Sequence, residues 1–279
     1  MNIQRISAFS KGNSGGNPAG VVLLDHAMST DQMAAIAAEV GYSETAFAVS
    51  VGENGTEWRV RYFSPESEVP FCGHATIALG AALGKHYGTG TYSLTLNDAS
   101  ITVSADNKND EISATLSSPP TRSESIMTEQ LNDALSLMSL TLGDLDDRLL
   151  PARIHGGADH IILPLKSREK LAAMTYDLNQ GRNVMRRHDL VTIMLVYIES
   201  DQQFVVRNAF ASGGVLEDPA TGAAAAAFAG YLRDKDWPHG GEFTIRQGDD
   251  MGSASEIKVS LTNVKGAPVR VSGATRWIS

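Results

Sequence analysis

Two stretches of this chain follow one pattern. Glu68 to Gly84 reads EVPFCGHATIALGAALG, and Glu217 to Leu232 reads EDPATGAAAAAFAGYL. Each opens on Glu, has Pro two positions on and Gly five positions on, then turns Ala-rich and apolar; 149 residues separate Glu68 from Glu217. A repeat this long and this sparse does not belong to a solenoid, which stacks three or more short units. It predicts two copies of one β-rich unit, each built around an apolar helix, in a pseudo-twofold protein. A cleft between two such lobes is a usual place for a ligand.

The flanking sequence supports two copies. A strand over Ile3 to Phe9 leads through KGNSGGNPAG to a buried strand, Val21 to Leu24. Ser29 and Thr30 are candidate N-caps for a helix over Asp31 to Val40, closed by Gly41, because Met33, Ile36, Ala37 and Val40 share one face. In YSETAFAVS, alternation puts Phe47, Val49 and Val51 on one face of a strand and Glu44, Ala46 and Ala48 on the other. WRVRYFS is a further strand, HATIALGAALGKHYG a helix ending at Gly88, and three more strands follow, near 91–96, 100–104 and 111–116. SSPPTRSES (117–125) reads as the linker, since two prolines among polar residues continue neither strand nor helix. The second half repeats the order: ARIHGGADHIILPL, a helix over Ser167 to Met174, strands at 191–199 and 203–210, the Glu217 motif and its helix, and strands at 243–247 and 257–262. A last strand near Pro268 to Val271 returns to the first half. The expected lobes are 1–118 joined by 265–279, and 119–264, with the active site between them.

Composition narrows the function. The net charge of −9 over 279 residues disfavours a nucleic-acid partner, which needs a basic surface. The densest basic cluster, Arg182 to Arg187, reads as a solvated face. A single cysteine, Cys72, rules out an intrachain disulfide and a zinc site built on several thiolates, and suits a reducing cytoplasm. No run reaches the roughly 18 apolar residues that span a bilayer, and the N-terminal stretch lacks the apolar core of a signal peptide. GxxxxGK[ST] is absent, so nucleotide binding is set aside. The histidines at 26, 86, 155, 160, 188 and 239 show no HxH or HExxH spacing; His155 and His160 flank a Gly-rich turn, and no metal or cofactor is expected.

Gly73 and Gly222 each stand at the start of an Ala-rich helix. A helix start carries unsatisfied N–H groups and partial positive charge, and glycine lets a ligand approach the backbone. Two such starts facing one another would hold an anion, most simply a carboxylate. The alternative is that both glycines only permit close helix–sheet packing.

Four motifs together resemble one family. GNPAGVV (16–22), SETAF (43–47), RYFSPESEVPFCGHAT (61–76) and EDPATGAA (217–224) are similar to the phenazine-biosynthesis PhzF-like isomerases, relatives in fold of diaminopimelate epimerase. The resemblance implies an α+β fold of two pseudo-symmetric lobes, each a β-barrel-like sheet around a central helix, with the active site between them. It implies Glu44 as the catalytic glutamate, His74 as the active-site histidine and Asp218 as the aspartate, with the backbone at Gly73 and Gly222 binding a substrate carboxylate. Related epimerases use two cysteines as opposed bases. Cys72 falls at the first position and Pro219 is read at the second, which removes a two-thiol mechanism.

The resulting expectation is a cofactor-independent isomerase or epimerase, phenazine-biosynthesis-like, acting on a small carboxylic acid. Glu44, His74 and Asp218 are the catalytic candidates; Asn17, Gly73, His74, Gly222 and Ala223 are the binding candidates. Glu68 and Glu217 are expected to serve hydrogen bonding or capping, and Cys72 to be a small buried residue. The alternatives are an amino-acid racemase or epimerase using Cys72, and a non-catalytic module that binds a small acid. A cytoplasmic homodimer without membrane or nucleic-acid partners completes the reading.

Overall fold

The computed structural model describes residues 2–52, 54–108 and 111–278. It divides into one unit of Met1–Pro119 with Arg270–Ser279 and a second of Pro120–Val269. Residues 265–269, expected to travel with the first lobe, belong to the second unit.

In the first unit the chain runs β1 (Ile3–Ala8), β2 (Asn17–Leu24), α1 (Thr30–Val40), β3 (Thr45–Ser50), β4 (Glu57–Phe63), β5 (Glu68–Val69), α2 (Gly73–Tyr87), β6 (Gly90–Thr95), β7 (Ser100–Lys108) and β8 (Glu111–Ser117). The second unit contains β9 (Arg122–Ser125), α3 (Thr128–Leu137), β10 (Ala152–His155), β11 (Asp159–Leu165), α4 (Arg168–Ala172), α5 (Leu178–Arg187), β12 (Thr192–Ser200), β13 (Gln203–Ala209), β14 (Glu217–Asp218), α6 (Gly222–Asp234), β15 (Glu242–Gln247) and β16 (Ser255–Ser260). The last strand, β17 (Arg270–Trp277), pairs with β8 and β1 of the first unit.

That last pairing closes a ring. The order β1-β2-β3-β4-β6-β7-β8-β17 returns to β1, an eight-strand barrel. From β1 to β7 the pairings alternate antiparallel, parallel, antiparallel, parallel, antiparallel. The run β10-β11-β12-β13-β15-β16 repeats that alternation in the second unit. The duplicated motif recurs in place: β5 and β14 are short pairs ahead of α2 and α6.

Inside the barrel, α2 is buried from Gly73 through Leu83; in the second unit, α6 is buried at Gly222 and from Ala224 through Arg233. A helix covered on every side cannot be amphipathic, which is why both sequences are Ala- and Gly-rich. Ile77, Leu79 and Leu83 are fully buried, each worth about 1.5–3 kcal/mol of apolar transfer. The glycines set the approach distance: a Cβ on Gly80 would lie 2.5 Å from Val103 Cγ2 and 3.0 Å from the Ala114 Cβ.

The outer face of β3 is covered by α1. Ser29 caps that helix in a reciprocal box with Gln32, and Gly41 closes it at φ 70°. Phe47 packs there with Val22, Met33, Ala37 and Phe63, while Ala46 and Ala48 take the opposite, fully buried face. Val51, assigned from the sequence to the bulky face, lies past the end of β3 and is exposed.

Three local expectations change. The stretch 117–125 is not a continuous linker: Ser117 ends β8, and Arg122–Ser125 pairs with β10. Two helices, α3 and α5, have no matching expectation from the sequence. Both are mostly polar and present only a few apolar side chains to the core beside β11 and β12. Arg186 and Arg187 sit on the exposed side of α5, as a solvated face, while Met185 is buried. The final strand is longer than read because it has partners on both sides.

Filling the space at Gly80 should cost stability. Gly80→Val is expected to lower the unfolding free energy by about 1–3 kcal/mol, the usual cost of an overpacked core. Gly90→Ala, with nothing within 4 Å of its added carbon, should leave the denaturant midpoint unchanged. Urea unfolding of the two variants checks this.

Candidate active site

The first unit gathers Glu44, Cys72 and His74. Glu44 directly precedes β3, and its carbonyl accepts from the Gly20 N–H at 3.1 Å, so the parallel ladder fixes its backbone. Cys72 is extended (φ −143°, ψ 115°) and is the residue from which α2 starts; His74 lies in the first turn. The His74 ring is held from both sides: Nε2 is 3.3 Å from Glu44 Oε2 and 3.3 Å from Ser43 Oγ, and Nδ1 is 3.4 Å from Cys72 Sγ. Glu44, His74 and Cys72 are 6%, 4% and 8% exposed. Glu44 Oε2, although at ion-pair distance from His74, is not aligned for a hydrogen bond and has no hydrogen-bond partner among the described residues.

Beneath them the backbone is pinned. Thr76 Oγ1 donates to the Cys72 carbonyl at 2.7 Å, so it accepts from the Tyr62 hydroxyl at 2.6 Å. Burial pushes the Tyr62 phenol well above its ordinary range, so it stays protonated as the donor. No side chain caps the start of α2, and no acidic residue lies in its first turn. Its amides and partial positive charge are therefore available to an anion. Asn17 is buried at the start of β2, opposite Ala8.

The second unit holds Asp218 in a different setting. The backbone N–H of Thr221 can only donate, so the Gln247 side-chain oxygen faces it, at 3.2 Å. Gln247 Nε2 then donates to the Asp218 carbonyl at 2.7 Å and to Thr221 Oγ1 at 3.0 Å. The Thr221 hydroxyl proton therefore goes to Asp218 Oδ2 at 2.6 Å. On the other side, Asn208 must offer its Nδ2 to Gln247 Oε1 at 3.3 Å, and its oxygen accepts from Thr192 Oγ1 at 3.1 Å. His160 must then donate from Nδ1 to Thr192 at 2.8 Å. One backbone N–H fixes every proton in a buried chain from His160 to the Asp218 carboxylate, and all its donors point toward Asp218. Gly222 and Ala223 follow at the uncapped start of α6.

The two repeat glutamates are structural. Arg61 binds Glu68 through two bonds, of 2.5 and 2.8 Å, and Arg207 binds Glu217 through two, of 2.5 and 3.0 Å. The bidentate pairs tie β4 to β5 and β13 to β14 at corresponding places. His155 is likewise engaged, with Nδ1 2.6 Å from Asp159 Oδ1.

One correction follows from the matched helices. The residue corresponding to Cys72 is Thr221, which likewise stands immediately before its helix, and not Pro219. The repeat itself carries this signal, FCG against ATG. Thr192, Asn208 and Gln247 carried none, because strand pairing alone brings them into the chain. Of the donor sets, Glu44, Cys72 and His74 each offer one metal-ligating atom, and these atoms lie within 4.8 Å of one another.

The family model described as phenazine biosynthesis-like protein matches residues 6–277. This chain belongs to that family. It is 30% identical to Uncharacterized isomerase YfhB of Bacillus subtilis (strain 168), over 96% of this chain and 93% of the relative. A solved PhzF-family phenazine biosynthesis protein of Bacillus anthracis superposes with a TM-score of 0.85 at 20% identity, covering 100% of this chain and 98% of that one. A probable proline racemase from Agrobacterium radiobacter K84 shares the fold at a TM-score of 0.68 and 11% identity, covering 99% of this chain and 91% of that one. The α+β fold is thus that of the PhzF and racemase group, and the chain is an isomerase. No helix among the described residues is long and apolar enough to cross a membrane.

The buried chain makes two predictions. Gln247→Leu strands the Thr221 N–H and the Asn208 amide, and should lower stability by at least about 1–3 kcal/mol, the cost of one buried group left without a partner. Burial holds His160 down to about 3 from 6.5. The unfolded chain therefore takes up a proton that the folded one refuses. Stability should fall as pH drops below about 6.5 toward 3, at up to about 1.4 kcal/mol per pH unit from this group. His160→Asn should flatten that slope in urea unfolding measured between pH 7 and pH 4.5; His239, also lowered by burial, accounts for a residual slope.

Proposed function

We propose that this isomerase moves a proton on a small carboxylic acid without a cofactor, with Glu44 as general acid and base. The observation that carries this reading is the buried Glu44 carboxylate with one oxygen unpartnered, set beside His74 and the uncapped start of α2. In the forward step the carboxylate takes a proton from an activated C–H. The electron pair moves into the substrate's conjugated or carboxyl system, giving an enol-like anion, and the Glu44 carboxylic acid returns the proton to another carbon or to the other face of the same one. The charge that develops is met by fixed N–H dipoles rather than by reorganising water. Gly73 and His74 contribute such amides in the first unit, and Gly222 and Ala223 in the second. Asn17 orients the substrate. His74 relays or shares the proton, and Asp218, held by the Thr221 hydroxyl, is the second group placed to relay it.

One contact favours a second reading. The Cys72 thiol lies 3.4 Å from His74 Nδ1, a thiol–imidazole pair that serves equally as a proton carrier in an amino-acid racemase or epimerase.

Solvent exchange separates the two. Wild-type protein is incubated in D₂O with a panel of unsaturated and 2-amino carboxylic acids, and deuterium incorporation is read by mass spectrometry. Glu44→Gln should reduce incorporation by about 10²–10⁴-fold, while Cys72→Ser keeps it. The reverse pattern transfers the chemistry to the thiol. No exchange with any acid in the wild type would favour a binding protein.

A further inference from the structure

We infer that Glu44, Cys72 and His74 form a binding site for a single thiophilic divalent cation, Zn²⁺ in the first instance, and that its binding blocks proton transfer. The blocking rests on the proposed role of Glu44; the binding does not.

The donor set is one carboxylate, one thiol and one imidazole, each of which zinc accepts. Hard ions such as Mg²⁺ and Ca²⁺ prefer all-oxygen shells, so the thiol and imidazole select against them. Spacing agrees. Zinc sits about 2.0–2.3 Å from N, O and S ligands, which places neighbouring donors of a tetrahedral site roughly 3.3–3.8 Å apart. His74 Nε2 lies 3.3 Å from Glu44 Oε2 and 3.9 Å from Cys72 Sγ. The three donor atoms lie within 4.8 Å of one another, and binding one ion through Nε2 requires the Cys72 thiol, now 3.4 Å from Nδ1, to turn toward Nε2.

A second observation points to a ligand. Glu44 Oε2 is a buried oxygen without a hydrogen-bond partner on a residue only 6% exposed, and a cation supplies what that oxygen lacks. Three protein ligands leave a fourth position for water or for a substrate carboxylate. Binding replaces the thiol proton: Cys72–SH releases H⁺ to solvent and the thiolate electron pair forms the Zn–S bond. Affinity therefore rises with pH. Once bound, the ion occupies the Glu44 oxygen and the His74 nitrogen, which lie 3.3 Å apart. The site then has no free base, so zinc acts as a reversible inhibitor.

Zn²⁺ titration against a chromophoric chelator tests the binding directly. One equivalent should bind, with release of about one proton. Cys72→Ser and Glu44→Gln should each weaken it by at least 10-fold, while His86→Gln leaves it unchanged. Co²⁺ in place of zinc should give a thiolate charge-transfer band that Cys72→Ser removes. Thermal unfolding of each variant confirms that it is folded. Equal affinity in the wild type and both site variants, or absence of the cobalt band, overturns the site. For any acid that exchanges deuterium, micromolar Zn²⁺ should suppress exchange and EDTA restore it. Stoichiometric binding without suppression would retain the site and overturn its inhibitory role, whereas failure of Glu44→Gln to slow exchange would overturn the proposed function and leave the metal titration standing.

Discussion

A helix buried on all sides within a ring of strands has two requirements, and most of this structure follows from them. It must be thin, because the eight-strand barrel leaves limited room. Gly80, and the alanines that line α2, meet that need against Val103 and Ala114. Its ends must also be resolved, because a helix start inside protein cannot rely on water. The start of α2 carries neither a capping side chain nor an acid. The positive end is left for something else, and the side chains nearest to it are Cys72, His74 and, across the parallel ladder, Glu44.

The duplicated architecture uses the same start in two chemical ways. In the first unit the residue before the helix is a cysteine beside an imidazole and a carboxylate, three groups that exchange protons or share a cation. In the second it is a threonine, whose hydroxyl is committed to Asp218 by a chain anchored on its own backbone N–H. The paired arginine–glutamate bridges, Arg61–Glu68 and Arg207–Glu217, hold each short strand ahead of its helix in the same way. Chemistry diverged one layer above a common support.

Part of this was legible at once. The Glu-x-Pro-x-x-Gly repeat and the apolar runs behind it announced two buried helices. Alternation in TAFAV separated the face that meets α1 from the face that meets α2. Ser29 and Gly41 marked both ends of α1. The polar helices α3 and α5 escaped because only one narrow stripe of each is buried, and Arg122–Ser125 escaped because its strand character comes from pairing with β10 and not from its composition.

By itself, the sequence determined the repeat and the order of most of its elements, which are properties of spacing along the chain that burial periodicity writes locally. Glu44, Cys72, His74 and Asp218 were singled out by the resemblance of four motifs to the PhzF-like family. Only the tertiary structure decided that His74 lies between a carboxylate and a thiol, and that His160, Thr192, Asn208, Gln247 and Thr221 form one directed chain. Those residues come from strands and a helix start far apart in sequence. Their hydrogen bonds depend on strand register, in which a shift of one residue turns each side chain to the opposite face.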